Sequence, residues 1–152
     1  MALTGKLIGS VEIRSGAKVL HDILRYAPND ISFIAPDKQV HTCNLLSGNT
    51  GVVGSTIVWH FTHDGKKQTA TEIIEEVDER NHKIVFKVIE GELVEEVYKA
   101  FKITFHCEQK DGKQWGVWTM EFEKPNSSVP DPTLLVDYFC DILKDMDNHA
   151  SK

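Results

Sequence analysis

Histidine and cysteine side chains in the first half of the chain offer the clearest potential for metal chemistry. His41 and Cys43 are two residues apart, which places them on one face of a strand, and His60 lies in the next strand-like segment. Imidazole and thiolate groups are ligands that zinc prefers. His60 and His63 would point to opposite faces, so they are not a ligand pair. Because no close-set ligand motif accompanies these residues, we predict no metal site and no cofactor.

Nucleophilic catalysis is not indicated either. The serines fall mainly in loops, and the three cysteines, Cys43, Cys107 and Cys140, lack an activating context. The cysteines are odd in number and sit inside otherwise regular segments. We therefore predict buried thiols in a reducing compartment and no disulfide framework.

A glycine-spaced segment at residues 47–55 (SGNTGVVGS) invites a phosphate-binding interpretation. A Walker loop needs four residues between its glycines and then a lysine, whereas five residues separate Gly48 from Gly54 and Ser55 follows directly. The dinucleotide fingerprint is not matched either. We predict instead that the glycines make this segment a mobile loop, because glycine permits positive φ.

Hydrophobic periodicity predicts the elements that position these residues. Residues 59–65 (WHFTHDG) end a strand of alternating apolar side chains in an Asp-Gly turn, a strong hairpin signal. A first short helix is expected at residues 17–24 with Ser15 as its N-cap, and a second from Asn29-Asp30 through Ile34, before Pro36. The strands are predicted at residues 3–13, 39–46, 55–62, 67–77, 83–89, 93–107 and 114–123.

The chain ends in a Pro/Ser/Asn linker and an amphipathic helix predicted over residues 133–148. Its apolar stripe comprises Leu134, Leu135, Tyr138, Ile142 and Met146, with Phe139 and Leu143 alongside. Its polar face comprises Asp137, Asp141, Lys144, Asp145 and Asp147. The fold class predicted is α+β, with a seven-stranded antiparallel sheet, two short helices after the first strand and one long C-terminal helix.

Length and charge limit the function classes. The 152 residues fit one domain, residues 1–152, and the net charge of −6 argues against a nucleic-acid partner. The N-terminus lacks the pattern of a secretory signal, and no apolar run reaches the ~20 residues of a membrane span. We therefore expect a cytoplasmic protein, either a monomer or a weak dimer.

Several short sequence segments follow one another along the chain in an order that is typical of one protein family. They are LTGKL (3–7), PDK (36–38), GVVGS (51–55), WHFTHDGK (59–66), KVIEGEL (87–93), YKAFKIT (98–104) and W-x-x-E-F-E-K (118–124). In this order the chain resembles, over essentially its whole length, the major latex proteins, a branch of the plant pathogenesis-related class 10 and Bet v 1 superfamily. The resemblance implies a Bet v 1-like, START-like helix-grip fold. In that fold a strongly curved sheet wraps around the C-terminal helix and leaves a large internal apolar cavity.

Strand and helix periodicity then supplies candidates for the lining of that cavity. They are Ile57, Trp59, Phe61, Phe101, Ile103, Phe105, Trp118, Met120, Phe122, Leu135, Tyr138 and Ile142, with His41 as a polar contact. The pattern alone favours a solid core built from the same residues, whereas the resemblance favours a chamber for a small hydrophobic molecule. Gly48, Gly51 and Gly54 would then form a portal loop beside it.

Two functions follow from the resemblance. The first is a non-catalytic carrier for a sterol, fatty acid, hormone or specialised metabolite, associated by family with defence and stress responses. The alternative is an isomerase- or lyase-type enzyme of plant metabolism, in which His41, Glu72, Lys99 or Tyr138 moves protons in the same cavity. Pathogenesis-related relatives carry a lysine in the glycine loop, linked to a proposed nuclease activity, and its absence here argues against that activity.

Overall fold

The computed structural model describes residues 3–152, and within this range the chain forms a curved antiparallel sheet of seven strands. The strands are β1 (Thr4–Ile13), β2 (Val40–Ser47), β3 (Thr56–His63), β4 (Lys66–Asp78), β5 (Lys83–Gly91), β6 (Ala100–Lys110) and β7 (Lys113–Glu123). Their order in the sheet is β1-β7-β6-β5-β4-β3-β2. Each strand from β2 to β6 pairs with the next one along the chain, and β1 pairs with β7. The predicted seven-stranded sheet is confirmed.

The helices also follow the predicted order. They are α1 (Ala17–Tyr26), α2 (Ile31–Ile34) and α3 (Thr133–Ala150), with 3₁₀ turns at Pro28–Asp30 and Pro36–Lys38. The predicted N-cap of α1 is wrong: Gly16 occupies the cap position and no side chain caps the helix. The Ser15 hydroxyl is engaged elsewhere, as a hydrogen-bond donor to Asp147.

The strand predicted at residues 93–107 begins later than expected. Leu93–Val97 forms one π-helical turn, closed by a hydrogen bond of 2.7 Å from the Tyr98 N–H to the Leu93 carbonyl, and β6 starts at Ala100. The Glu95 carboxylate stabilises this turn because it accepts a hydrogen bond from the Gly91 N–H at 2.9 Å. Acidic side chains that bind backbone N–H groups compete with strand pairing here.

Helix α3 lies across the inner face of the sheet and carries much of the core. Leu135, Val136, Ile142, Leu143 and Met146 are buried against the strands. Leu134, predicted on the apolar stripe, is 62% exposed. The buried stripe therefore starts one residue later than the sequence pattern suggested.

Asp147, predicted on the polar face of α3, is only 4% exposed. Its Oδ1 atom accepts hydrogen bonds from the backbone N–H groups of Arg14 (3.0 Å) and Ser15 (2.9 Å), and from the Ser15 hydroxyl (2.7 Å). These donors lie in the turn between β1 and α1, so the carboxylate joins the end of α3 to that turn. The prediction failed because helical periodicity does not show that a distant turn offers three donors.

Within residues 3–152, no helix combines the length and the apolar content that crossing a bilayer requires.

Replacing Asp147 with alanine should lower the free energy of unfolding by about 3 kcal/mol, because buried backbone donors lose their charged acceptor. Urea denaturation measures this loss. Asp141→Ala, which removes an exposed aspartate from the same helix, is the matched control and should change stability by less than about 0.5 kcal/mol. Equal losses in the two variants would contradict the anchoring role of Asp147.

Candidate functional site

A cavity of about 60 Å³ lies between the inner face of the sheet and α3. Its lining is almost entirely carbon, and the one ionisable carboxyl group in it is that of Glu72. The lining residues are Leu24, Ile31, Val40, Trp59, Phe61, Ala70, Glu72, Phe86, Leu93, Ile103, Trp118, Leu135, Tyr138, Phe139 and Ile142.

Backbone periodicity brings these residues to one place. Trp59 and Phe61 on β3, like Ala70 and Glu72 on β4, are two residues apart and so share a face of the sheet. Helix α3 closes the cavity from the opposite side with residues at helical spacing, among them Tyr138 and Ile142.

The cavity is much smaller than the large chamber implied by the resemblance. A volume of about 60 Å³ holds a few water molecules, whereas pockets for drug-sized ligands span ~300–1,000 Å³. Aromatic rings occupy much of the space between the sheet and α3. Phe61 stacks on Tyr138 with ring centroids 6.1 Å apart, and Trp118 meets Phe139 edge-on at 5.0 Å. A ligand of ordinary size must therefore displace side chains.

The structure brings only part of the predicted lining to the cavity. The predicted residues that line it are Trp59, Phe61, Ile103, Trp118, Leu135, Tyr138 and Ile142. Their role in ligand binding remains a prediction.

The other predicted lining residues lie elsewhere. Phe105 and Met120 are fully buried and pack within the core. Phe101 belongs to an aromatic cluster with Tyr98 (centroids 5.2 Å apart) and Phe122 (6.3 Å). Alternation assigns all of them to the inner face, but the cavity occupies only part of that face.

Ile57 and His41 also fall outside this cavity. Ile57 lines a second cavity, described below. His41 is exposed, and its Nε2 atom lies 2.8 Å from the Thr62 hydroxyl. The register between β2 and β3 shifts between Val40 and Thr42, so Val40 rather than His41 lines the cavity.

Sequence reasoning missed several lining residues on β2, β4, β5 and the helices. They are Leu24, Ile31, Val40, Ala70, Phe86, Leu93 and Phe139. A usable signal existed for Ala70, because it has the same strand parity as Glu72 and Ile74 and lies opposite Trp59 in the hairpin. The methyl side chain of Ala70 is too small to stand out in a hydrophobic pattern.

Glu72 is an acid in apolar surroundings. It is only 5% exposed, and its Oε1 atom accepts a hydrogen bond of 3.0 Å from the Trp59 indole N–H. Burial raises the pKa of the Glu72 carboxyl from 4.5 to about 8, and the Trp59 hydrogen bond opposes this shift only in part. The group is therefore mainly a neutral carboxylic acid at pH 7.

Of the other acid/base candidates, only Tyr138 lies in the cavity. Its hydroxyl donates a hydrogen bond of 2.6 Å to the Lys38 carbonyl, and burial raises its pKa to about 12. It is therefore unsuited to proton transfer near neutral pH. Lys99 precedes β6 on the surface, where its amine lies 3.9 Å from the Glu123 carboxylate.

The residues considered for a metal site are not brought together as a ligand set. Cys43 is buried, and burial raises the pKa of its thiol, whereas His41 and His60 are exposed. Cys107 and Cys140 are half-buried, contrary to the prediction of buried thiols. Across residues 3–152, no cluster of three or more His, Cys, Asp or Glu side chains is arranged to hold a metal ion.

The glycine loop borders a second cavity, not the apolar one. This second cavity has a volume of about 270 Å³ and lies between the C-terminal end of α1 and β2–β4. Gly51 lines it with φ of 75°, and its carbonyl accepts a hydrogen bond of 2.9 Å from Arg25 Nε. A Cβ atom at Gly51 would crowd the Tyr26 ring, so the loop packs closely on α1. Leu24 lines both cavities.

The comparisons with known proteins agree with this architecture. The model of the pathogenesis-related protein Bet v 1 family matches residues 2–152. MLP-like protein 43 of Arabidopsis thaliana is 38% identical over 97% of this chain and 94% of its own length. The crystal structure of ginseng major latex-like protein 151 from Panax ginseng superposes with a TM-score of 0.92 at 34% identity, covering 98% of this chain and 99% of that one. A norcoclaurine synthase point mutant from Thalictrum, covering 99% of this chain and 96% of its own, shares the fold alone, with a TM-score of 0.70 at 12% identity.

The Glu72 carboxyl should make folding stability depend on pH. As the pH rises from about 4.5 to about 8, the unfolded state releases the Glu72 proton and the folded state keeps it. The free energy of unfolding should therefore fall by up to about 1.4 kcal/mol per pH unit from this group. Glu72→Gln cannot ionise, so the difference between wild type and Glu72→Gln in urea titrations isolates the effect from other groups. A difference that stays constant over this pH range would contradict the raised pKa.

Proposed function

Since the chain belongs to the pathogenesis-related protein Bet v 1 family, we propose that it is a carrier that holds a small hydrophobic molecule between the sheet and α3. By the same family association, we place this activity in the cytoplasm of a plant cell and in defence or stress responses. The candidate ligands are those of the resemblance, namely a sterol, a fatty acid, a hormone or a specialised metabolite.

The observation that carries the proposal is the apolar cavity of about 60 Å³ between the sheet and α3. Protein interiors are close-packed, and an empty cavity costs ~24 cal/mol per Å³, or roughly 1.4 kcal/mol for this one. An apolar ligand would recover that loss and add its own buried area at ~25 cal/mol per Å².

The cavity must enlarge to accept a whole ligand, and half-buried side chains at its border can move to allow this. Leu93 and Phe139 line the cavity and are only half-buried. Side chains that already meet solvent on one side can turn outward at a lower cost than fully buried ones. The ordering of these groups on binding would offset part of the affinity.

A second candidate is an acid/base enzyme, and Glu72 is the observation that favours it. A carboxyl group with a pKa raised to about 8 in an apolar cavity has the properties of a general acid. However, Tyr138 stays protonated, and His41 and Lys99 lie outside the cavity, so Glu72 has no second proton carrier beside it. New products from a plant metabolite panel that disappear with Glu72→Gln would favour the enzyme over the carrier.

Filling the cavity tests the carrier proposal. Ala70→Val adds two methyl groups at the lining and should weaken binding of the neutral fluorescent probe N-phenyl-1-naphthylamine at least about tenfold, because the space for the probe is lost. Probe titrations followed by fluorescence measure the affinity, and circular dichroism checks the fold.

Ala100→Val makes the same change at an exposed position of β6 and should leave probe affinity unchanged. Equal probe binding by wild type and both variants would contradict the location of the site. No binding by the wild-type protein would contradict the carrier function.

A further inference from the structure

The Glu72 side chain projects into surroundings that give it one polar partner. Its strand neighbours are Ile57 on β3 and Val88 on β5, and Val88 in turn lies opposite Phe101 on β6. The Trp59 indole N–H contacts Oε1 of the carboxyl group. Among residues 3–152, no side chain or backbone group forms a hydrogen bond with Oε2.

Trp59 determines which carboxyl oxygen carries the proton. An indole N–H is a donor only, so the oxygen that it contacts must act as an acceptor. The carbonyl oxygen of a neutral carboxyl group is a better acceptor than its hydroxyl oxygen, so this contact favours the form that carries the proton on Oε2. This places an O–H donor at the lining of an apolar cavity, where a ligand oxygen would serve as its hydrogen-bond acceptor.

The neighbouring titratable groups do not satisfy this donor. Cys43 on β2 is buried, and burial raises the pKa of its thiol. The neutral thiol therefore does not stabilise the carboxylate form of Glu72. The Tyr138 hydroxyl of α3 is committed to the Lys38 carbonyl. From the segment around the π-helical turn, the Glu92 and Glu95 carboxylates accept hydrogen bonds from the N–H groups of Thr69 and Gly91.

We propose that Glu72 is the polar recognition group of the cavity, donating a hydrogen bond from Oε2 to a carbonyl or hydroxyl oxygen on an otherwise apolar ligand. This inference rests on the proposed carrier function and narrows its ligand class. An oxygen acceptor fits better than an ammonium group, because a neutral donor and acceptor pair avoids the desolvation of two charges. The acceptor would also give the Glu72 Oε2 hydroxyl a hydrogen-bond partner.

The test compares two competitors of equal shape for displacement of N-phenyl-1-naphthylamine. They are 2-acetylnaphthalene, which carries a carbonyl group, and 2-isopropenylnaphthalene, which carries a methylene group in its place. In Trp59→Phe, which keeps the Glu72 acid, the ketone should be preferred. In Trp59→Phe/Glu72→Met, which removes the Trp59 and Glu72 donors but keeps the Trp118 indole N–H, that preference should fall about tenfold, the value of one buried hydrogen bond.

The pH dependence is the second readout. In the wild-type protein the preference for the ketone should be lost as the pH rises through about 8, because a carboxylate cannot donate a hydrogen bond. Glu72→Gln retains an N–H donor that does not titrate, so its preference should be independent of pH. A wild-type preference that does not change between pH 6 and pH 10 would overturn the proposal.

Further outcomes separate this inference from the carrier function. An equal preference in Trp59→Phe and Trp59→Phe/Glu72→Met overturns the role of Glu72 while probe displacement still supports the carrier. Tighter binding of the matched amine, 1-(naphthalen-2-yl)ethanamine, than of the ketone overturns the acceptor class in favour of an ion pair. If the wild-type protein does not bind the probe at all, the carrier function and this inference both fail.

Discussion

The position of α3 across the inner face of the sheet is the constraint on which the site depends. Without that helix the inner face of β3–β7 would be a hydrophobic groove open to water. Polar contacts, among them the following two, help to hold the helix in place. The buried Asp147 carboxylate accepts hydrogen bonds from three donors in the turn after β1, and the Tyr138 hydroxyl donates one to the Lys38 carbonyl. Apolar packing is non-directional, so these directional bonds fix where along the sheet the helix lies.

The same arrangement explains why the cavity is small. Tyr138 and Phe139 of α3 meet Phe61 and Trp118 of the sheet, and these large rings occupy most of the space between the layers. What remains is a residual volume of carbon surfaces with one carboxyl group. In the proposed carrier function, such a site would select ligands by two criteria, which are apolar surface to replace the displaced rings and one oxygen to accept a hydrogen bond from the acid.

The sequence was sufficient for the architecture and for part of the site. Alternation on β3 and helical spacing on α3 correctly brought Trp59, Phe61 and Tyr138 to one cavity. The register shift after Val40 moved His41 outward, and no local pattern marks such a shift. The burial of Asp147 depends on donors more than 130 residues away in the chain. Features set by local periodicity were predictable, and those set by contacts between distant segments were not.

Leu24 lies between the two cavities and separates them. It lines both the apolar cavity of about 60 Å³ and the larger cavity beside the glycine loop, so one side chain is part of the partition between two compartments. The capacity of this fold is therefore not fixed by the curvature of its sheet. A smaller residue at this position would remove part of that partition, so the separation of the two compartments depends on a single side chain.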